Sequence, residues 1–157
     1  MLLAALPREH YRLGAEPGCG PGALTRELAG RCRRLVASDV VAEAVAATTA
    51  ATAGSPGTEV HRSDVDDAAA VPDGADLVVL CDVLHHLLPA RIDAVLDRVA
   101  GSVPAGGDVV VAHRLQWPAE APTDARAVHR RVCGDDRFTT VVEHVDDDLL
   151  LHVVRRR

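Results

Sequence analysis

Lysine is absent from the 157 residues; all 17 basic side chains are arginine. Without a lysine amine the chain cannot form a Schiff base with a carbonyl substrate, hold pyridoxal covalently or build a phosphate loop around lysine. Aromatic residues are scarce: Tyr11, Trp117 and Phe138 make up 2% of the sequence. A surface that stacks unpaired bases needs several aromatic platforms, so single-stranded nucleic acid is a poor candidate ligand. A formal net charge of -6 argues equally against a general phosphate-backbone binder. Every apolar run falls short of the roughly 18 residues that cross a bilayer, so no membrane association is expected. The apolar start, Met1 to Leu6, is too short for a signal peptide and is followed by the wrong flank, Pro7-Arg8-Glu9-His10. The cysteines, at 19, 32, 81 and 133, never fall in C-x-x-C spacing, which removes zinc knuckles and thioredoxin-like redox motifs. They read as reduced thiols of a cytoplasmic protein.

What remains is ordinary globular composition, 48% hydrophobic and 25% charged. The length suits one domain with one sizeable core, so residues 1–157 read as a single unit. Glycine and proline divide the chain into alternating strand-like and helix-like pieces. A first strand ends near Glu16 and a glycine-rich turn runs from Gly18 to Gly22. A short helix follows, with Pro21 at its first position and Gly30 at its end. Arg34 to Asp39 is a second strand, Val41 to about Ala53 an alanine-rich helix, and Thr58 to Arg62 a third strand. Ala75 to Asp82 and Asp108 to His113 are continuously apolar, the pattern of strands covered on both faces. Ile92, Val95, Leu96 and Val99 recur at helical spacing within Pro89 to Ala100. Thr123 is the expected N-cap of a last helix through Val132. Arg137 to His144 and Leu149 to Arg155, joined through Asp146-Asp147-Asp148, read as an antiparallel hairpin. Strands alternating with helices predict a parallel, doubly wound α/β sheet that this hairpin makes mixed. Ligands in such sheets bind beyond the carboxyl ends of the strands, at the switch point beside strand one.

That rule selects a few polar residues. Glu16-Pro-Gly18-Cys-Gly20-Pro-Gly22 is a G-x-G-x-G turn directly after a strand, where glycine lets a ligand approach the backbone. It is not the G-x-G-x-x-G dinucleotide fingerprint, which opposes a dinucleotide oxidoreductase. Asp39, ending the second strand, can accept hydrogen bonds from a ribose diol or cap the helix that begins near Val41. Asp64 can accept from an adenine amino group, or belong with Asp66 and Asp67 to a solvated acidic turn. His85 and His86 are adjacent, so their side chains diverge and no third ligand is spaced to complete a metal site.

The order of Glu16-Pro-Gly-Cys-Gly-Pro-Gly22, Arg33-Arg-Leu-Val-Ala-Ser-Asp39, Ser63-Asp-Val65, Ala75-Asp-Leu-Val-Val-Leu80, Val83-Leu-His-His-Leu87 and Pro104-Ala-Gly-Gly107 resembles class I S-adenosylmethionine-dependent methyltransferases. The opening LAALPREHYR and EPGCG resemble the nodulation-protein-S-like subgroup, whose VHW element corresponds to Ala112-His113-Arg114, with Trp117 nearby. The resemblance implies a Rossmann-like, mostly parallel seven-stranded sheet with an antiparallel C-terminal hairpin. It implies S-adenosylmethionine as cofactor and methyl transfer to nitrogen or oxygen of a small polar acceptor, such as an amino sugar or a biosynthetic intermediate. By the same resemblance Glu16 lies near the methionine amino group, Gly18, Cys19, Gly20 and Gly22 pass beside the cofactor, and Asp39 with Val40 holds the ribose. Asp64 and Val65 hold the adenine, Cys81 and Asp82 contact the methionine moiety, and His85, His86 and His113 face the acceptor. His86 or His113 is the candidate general base for a hydroxyl acceptor. The chain departs from the family in having His85-His86 where an aromatic pair is usual and Arg114 where another aromatic stands. It also starts close to the glycine turn, whereas members usually carry about 30 residues ahead of it that act as a lid. Cover for the cleft is then expected from a homodimer or a partner protein, leaving the apolar side of Met1 to Leu6 partly open. The competing reading is a methyltransferase-like partner or scaffold that keeps the fold without the catalysis.

Overall fold

A computed structural model describes residues 2–115 and 121–157. Seven strands form one sheet in the order β3-β2-β1-β4-β5-β7-β6. They are β1 (Tyr11–Pro17), β2 (Cys32–Asp39), β3 (Thr58–Arg62), β4 (Leu77–Cys81), β5 (Asp108–Arg114), β6 (Phe138–Val145) and β7 (Leu149–Arg156). The first five pair in parallel; β7 runs antiparallel to both β5 and β6. The mixed, doubly wound sheet expected from the sequence is therefore the sheet that forms.

Alternation along the strands sorts the core onto two faces. In β4, Val78 and Leu80 join a cluster with Ile92, Val95 and Val99 of α3 (Pro89–Ser102) and Val128 and Val132 of α4 (Ala125–Cys133). Leu77 and Val79 point the other way, to a cluster with Tyr11, Leu35 and Leu28 of α1 (Ala23–Ala29). The central strands carry apolar residues on both sides because helices cover both. The remaining helix, α2 (Ala42–Ala51), packs against β2, β3 and α1.

Two local expectations need correction. Pro21 does not begin α1: Gly22, in the left-handed region, is the N-cap, and Ala23 is the first helical residue. Thr123 is not the cap of α4. Its hydroxyl donates to the Leu87 carbonyl, and Asp124 accepts from the Ala127 N–H instead. The N-terminal segment is partly open: Ala4 is exposed and Leu2, Leu3 and Ala5 are half-buried. Leu6 is buried, and Leu2, Leu3 and Ala5 pack on the cluster around Tyr11 and Leu28, because Arg31 ties the segment down through the Leu3, Arg8 and Glu9 carbonyls. No described helix is long and apolar enough to cross a membrane, and all four cysteines are free thiols.

Candidate active site

Strand order reverses between β1 and β4, and a cavity of about 640 Å³ opens at the carboxyl ends of these strands and their neighbours. That is the crevice where doubly wound sheets place ligands, and the volume is within the usual range for small-molecule sites. Glu16, Asp39 and Asp64, at or just past the ends of β1, β2 and β3, all border it.

The glycine turn is held from two sides. Gly18 and Cys19 donate their N–H groups to the Ser38 carbonyl at 2.7 and 2.9 Å. Gly20 donates to Asp39 Oδ2 at 3.0 Å and accepts from the Thr48 hydroxyl of α2 at 2.7 Å. Gly18 and Gly20 border the cavity; Gly22 does not. A Cβ on Gly22 would meet the Thr48 Cα at 2.7 Å, so this glycine exists for close packing of the turn on α2. Cys19 is buried, its thiol 3.5 Å from the Thr48 hydroxyl. Thr48 leaves no mark in the sequence beyond being a polar residue in an alanine-rich helix.

Asp39 braces the turn against the start of α2, whose N-cap is Val41 without a side-chain cap bond. Oδ1 accepts from the Val41 N–H at 2.9 Å while Oδ2 takes Gly20. Each carboxylate oxygen has a further lone pair, and the residue stays on the cavity wall beside the exposed Val40. Asp64 is not a freely solvated turn residue. Its Oδ1 accepts from the Val65 N–H and lies 2.9 Å from Arg91 Nη2 of α3, while Val65 is buried in the core. Arg91 also grips Asp66 through Nε and Nη2. Arg114, which stands where the family has an aromatic, does border the cavity, whereas Arg91 was not legible as a cavity residue, since it arrives from an element distant in sequence.

Glu16 is 2% exposed. Burial pushes its carboxyl pKa up to about 8, with the nearby Thr25 hydroxyl offsetting a little of that rise. Its Oε2 nonetheless has no hydrogen-bond partner among the described residues. A buried carboxyl with an unmet oxygen on a cavity wall is a group suited to a cationic ligand. Across the cavity, burial also raises the Cys81 thiol to about 12, so it is a neutral wall group and not a nucleophile. Asp82 sits at φ 51, a left-handed conformation for a residue other than glycine. The strain is held by its carboxylate, which accepts from the Arg114 N–H and Nε at 2.8 and 3.0 Å and so ties the tip of β4 to that of β5.

The histidines divide. His86 borders the cavity. His85 and His113 do not face it and are 2% and 1% exposed. This corrects the expectation that His113 meets an acceptor directly: its position in β5 turns it under α4, where Nδ1 lies 2.9 Å from His129 Nε2. Trp117 lies outside the described residues. Among those described, no group of acidic, histidine or cysteine side chains is placed to hold a metal ion.

The sequence profile described as methyltransferase domain matches residues 15–109. A crystal structure described as that of a candidate methyltransferase from Pseudomonas syringae superposes with a TM-score of 0.86 at 28% identity, covering 99% of this chain and 94% of that one. The N-methyltransferase NodS from Bradyrhizobium japonicum WM9 superposes at 0.82 with 24% identity over 97% of this chain and 89% of its own. NodS in complex with S-adenosyl-L-homocysteine gives 0.79 at 23%, over 94% and 79%. No curated protein matches the chain.

Proposed function

Because the chain belongs to the methyltransferase domain family, we propose that it transfers a methyl group from S-adenosylmethionine to a nitrogen or oxygen of a small polar acceptor. The whole of residues 1–157 acts as one catalytic domain in this reading. The observation that carries it is the set of three carboxylates, Glu16, Asp39 and Asp64, lined up at successive strand ends on one cavity. The residues fit the cofactor: Glu16 has a buried oxygen in want of a partner, and a Cβ on Gly20 would meet no atom within 4 Å. Bound there, S-adenosylmethionine supplies an electrophilic methyl group on a sulfonium.

Each residue then has a stated task. Glu16 meets the methionine ammonium. Gly18, Cys19 and Gly20 offer their backbone to the methionine and ribose, with Gly22 fixing the turn on α2. Asp39 holds the ribose hydroxyls with the lone pairs left after Gly20 and Val41, and Val40 covers the sugar. Asp64 accepts from the adenine amino group, steadied by Arg91, while Val65 gives the ring an apolar floor. Cys81 and Asp82 close the wall behind the methionine. His86 stands at the acceptor side. Alignment supplies most of the rate in such a displacement. An amine acceptor needs only to be neutral, whereas a hydroxyl needs a base, and His86 is the residue placed to serve.

NodS is an N-methyltransferase by description, and its complex holds S-adenosylhomocysteine; with the nodulation-type motifs this favours an amine, as on an amino sugar. Net charge and the scarcity of aromatics favour a small molecule over nucleic acid. Val40, Val41 and Leu88 are 56%, 49% and 63% exposed, and the first two border the cavity, which supports cover by a second copy or a partner protein. Light scattering tests the dimer; a strict monomer that is fully active alone removes the need for cover. The main reading is tested by calorimetry with S-adenosylhomocysteine. Micromolar binding is expected; none at millimolar ligand sinks it and leaves the scaffold reading.

A further inference from the structure

Five of the eight histidines stand in one file from the cavity wall to the outer hairpin. Ring centroids are 4.1 Å apart for His86–His85, 5.1 Å for His85–His113, 5.0 Å for His113–His129 and 4.9 Å for His129–His152. The outer three are joined by nitrogen contacts: His113 Nδ1 to His129 Nε2 at 2.9 Å, then His129 Nδ1 to His152 Nδ1 at 2.8 Å. His152 Nε2 lies 3.8 Å from Glu143, its cross-strand neighbour on β6, whose side chain is 64% exposed. The interior members are 1% to 8% exposed. Distant parts of the chain converge here: the turn after β4, then β5, α4 and β7.

The polarity of the file follows from satisfaction of its nitrogens. His113 Nε2 is buried with no partner among the described residues. A buried N–H without an acceptor is rarer and costlier than an unmet lone pair. His113 therefore carries its proton on Nδ1 and donates to His129. His129 then accepts at Nε2 and donates from Nδ1. His152 accepts at Nδ1, which puts its own proton on Nε2, toward Glu143. The bare Nε2 of His113 is left as a proton acceptor at the inner end. The His85–His113 pair matches the bonded His113–His129 pair in separation and in tilt, 79° against 81°, so the two rings stand at the spacing of a bonded pair.

The geometry points to a proton exit: the file from His86 through His85, His113, His129 and His152 carries the proton released at the methyl acceptor to Glu143 and so to water. This rests on the methyltransferase reading. As the acceptor's lone pair bonds the methyl carbon, the sulfur–carbon pair returns to sulfur. The acceptor, now cationic, loses its N–H or O–H proton to the file. Each imidazole takes a proton on one nitrogen and gives up the one on the other, and Glu143 passes the last to solvent. Ring turns then restore the starting tautomers. Burial holds His113 down to about 4 and His129 to about 3, and lowers His85 and His152. The charges facing them are Asp82 and Glu143 with the neighbouring rings. The four inner rings, His85, His113, His129 and His152, are thus neutral at pH 7 and pass a proton on without storing it.

The test uses the full chain labelled with [15N]histidine, without ligand. Nuclear magnetic resonance is expected to find Nδ1–H on His113 and His129 and Nε2–H on His152. Exchange of the His129 ring proton with water should slow about tenfold in Glu143→Gln while backbone amides of β5 and α4 exchange as before. The opposite tautomers, or ring exchange indifferent to Glu143, overturn the proposal. His129→Gln supplies a second readout, since an amide can accept from His113 and donate to His152 yet cannot relay. Turnover of methyl-labelled S-adenosylmethionine on a panel of primary amines and amino sugars should fall about tenfold or more, with S-adenosylhomocysteine affinity unchanged. Full turnover in that variant shows a merely structural file and overturns the relay. Loss of S-adenosylhomocysteine binding by the wild type would instead sink the underlying reading.

Discussion

On the β1–β2 side of the cavity, Asp39 engages both carboxylate oxygens with backbone N–H groups of the glycine turn and the start of α2. On the β5–β7 side, His113, His129 and His152 bond to one another and, among the described residues, to no backbone group. The first arrangement is local: a turn, a strand end and the next helix, all within a few tens of residues. The second draws on three elements that only the sheet brings together. A carboxylate braced by two backbone amides is held in one orientation, which suits holding a ligand. Imidazoles in an apolar layer stay neutral and interchange donor and acceptor, which suits moving a proton.

The sharpest way to break this contrast is at the residue between the two regions. His86→Ala should lower turnover by roughly 10²–10⁴-fold if the acceptor is a hydroxyl, and by about tenfold, through loss of the proton's way out, if it is an amine. Steady-state kinetics on matched alcohols and amines decide it; unchanged kinetics on every acceptor would remove His86 from the site. Next in size is the glycine turn itself. Gly22→Ala puts a Cβ at a φ of +84° and 2.7 Å from the Thr48 backbone, and should cost about 2–4 kcal/mol in denaturant unfolding. Gly20→Ala, at φ +54° with no atom within 4 Å, should cost about 1–2 kcal/mol. Equal losses would show that the turn is not anchored through Gly22.

Asp39→Ala should weaken S-adenosylhomocysteine binding by about 1–3 kcal/mol. Because two N–H groups lose their acceptor, the unfolding midpoint should also drop. A lower midpoint with unaltered affinity would make Asp39 a brace and nothing more. The effect at Glu16 is read through pH. Its folded pKa of about 8 lies above the ordinary 4.5, so the stability that it contributes is complete below the ordinary value and fades as pH rises through 8. A bound ammonium favours the ionised form. Binding below pH 8 therefore releases a proton, and affinity should climb by up to about tenfold per pH unit toward 8. Titrations in buffers of different ionisation enthalpy measure the proton. Glu16→Gln should abolish both slopes; the same slopes in that variant would assign them elsewhere.

The local half of the contrast was readable early. Continuous apolar runs marked β4 and β5, and the glycine spacing with Asp39 and Asp64 marked the cavity, because strand ends and turns are encoded by neighbours in the chain. Helix starts were less legible. Thr123 and Asp124 are both good caps by type, and the choice between them was made by the Leu87 carbonyl, which captured the Thr123 hydroxyl.

By itself the sequence determined the alternation of strands and helices, the mixed hairpin edge and the carboxylates at the strand ends, since each depends on side-chain period or turn chemistry within a short segment. Only the tertiary structure decided that His113 faces α4 and not the cavity, that Arg91 braces Asp64, and that Thr48 locks the glycine turn. The physical reason is register. Once Val111 pairs with His152 and Glu143 with His152, the β5 and β7 imidazoles must share one face, and the amphipathic turn of α4 that buries Val128 and Val132 sets His129 between them. Nothing within any one of those segments specifies that meeting.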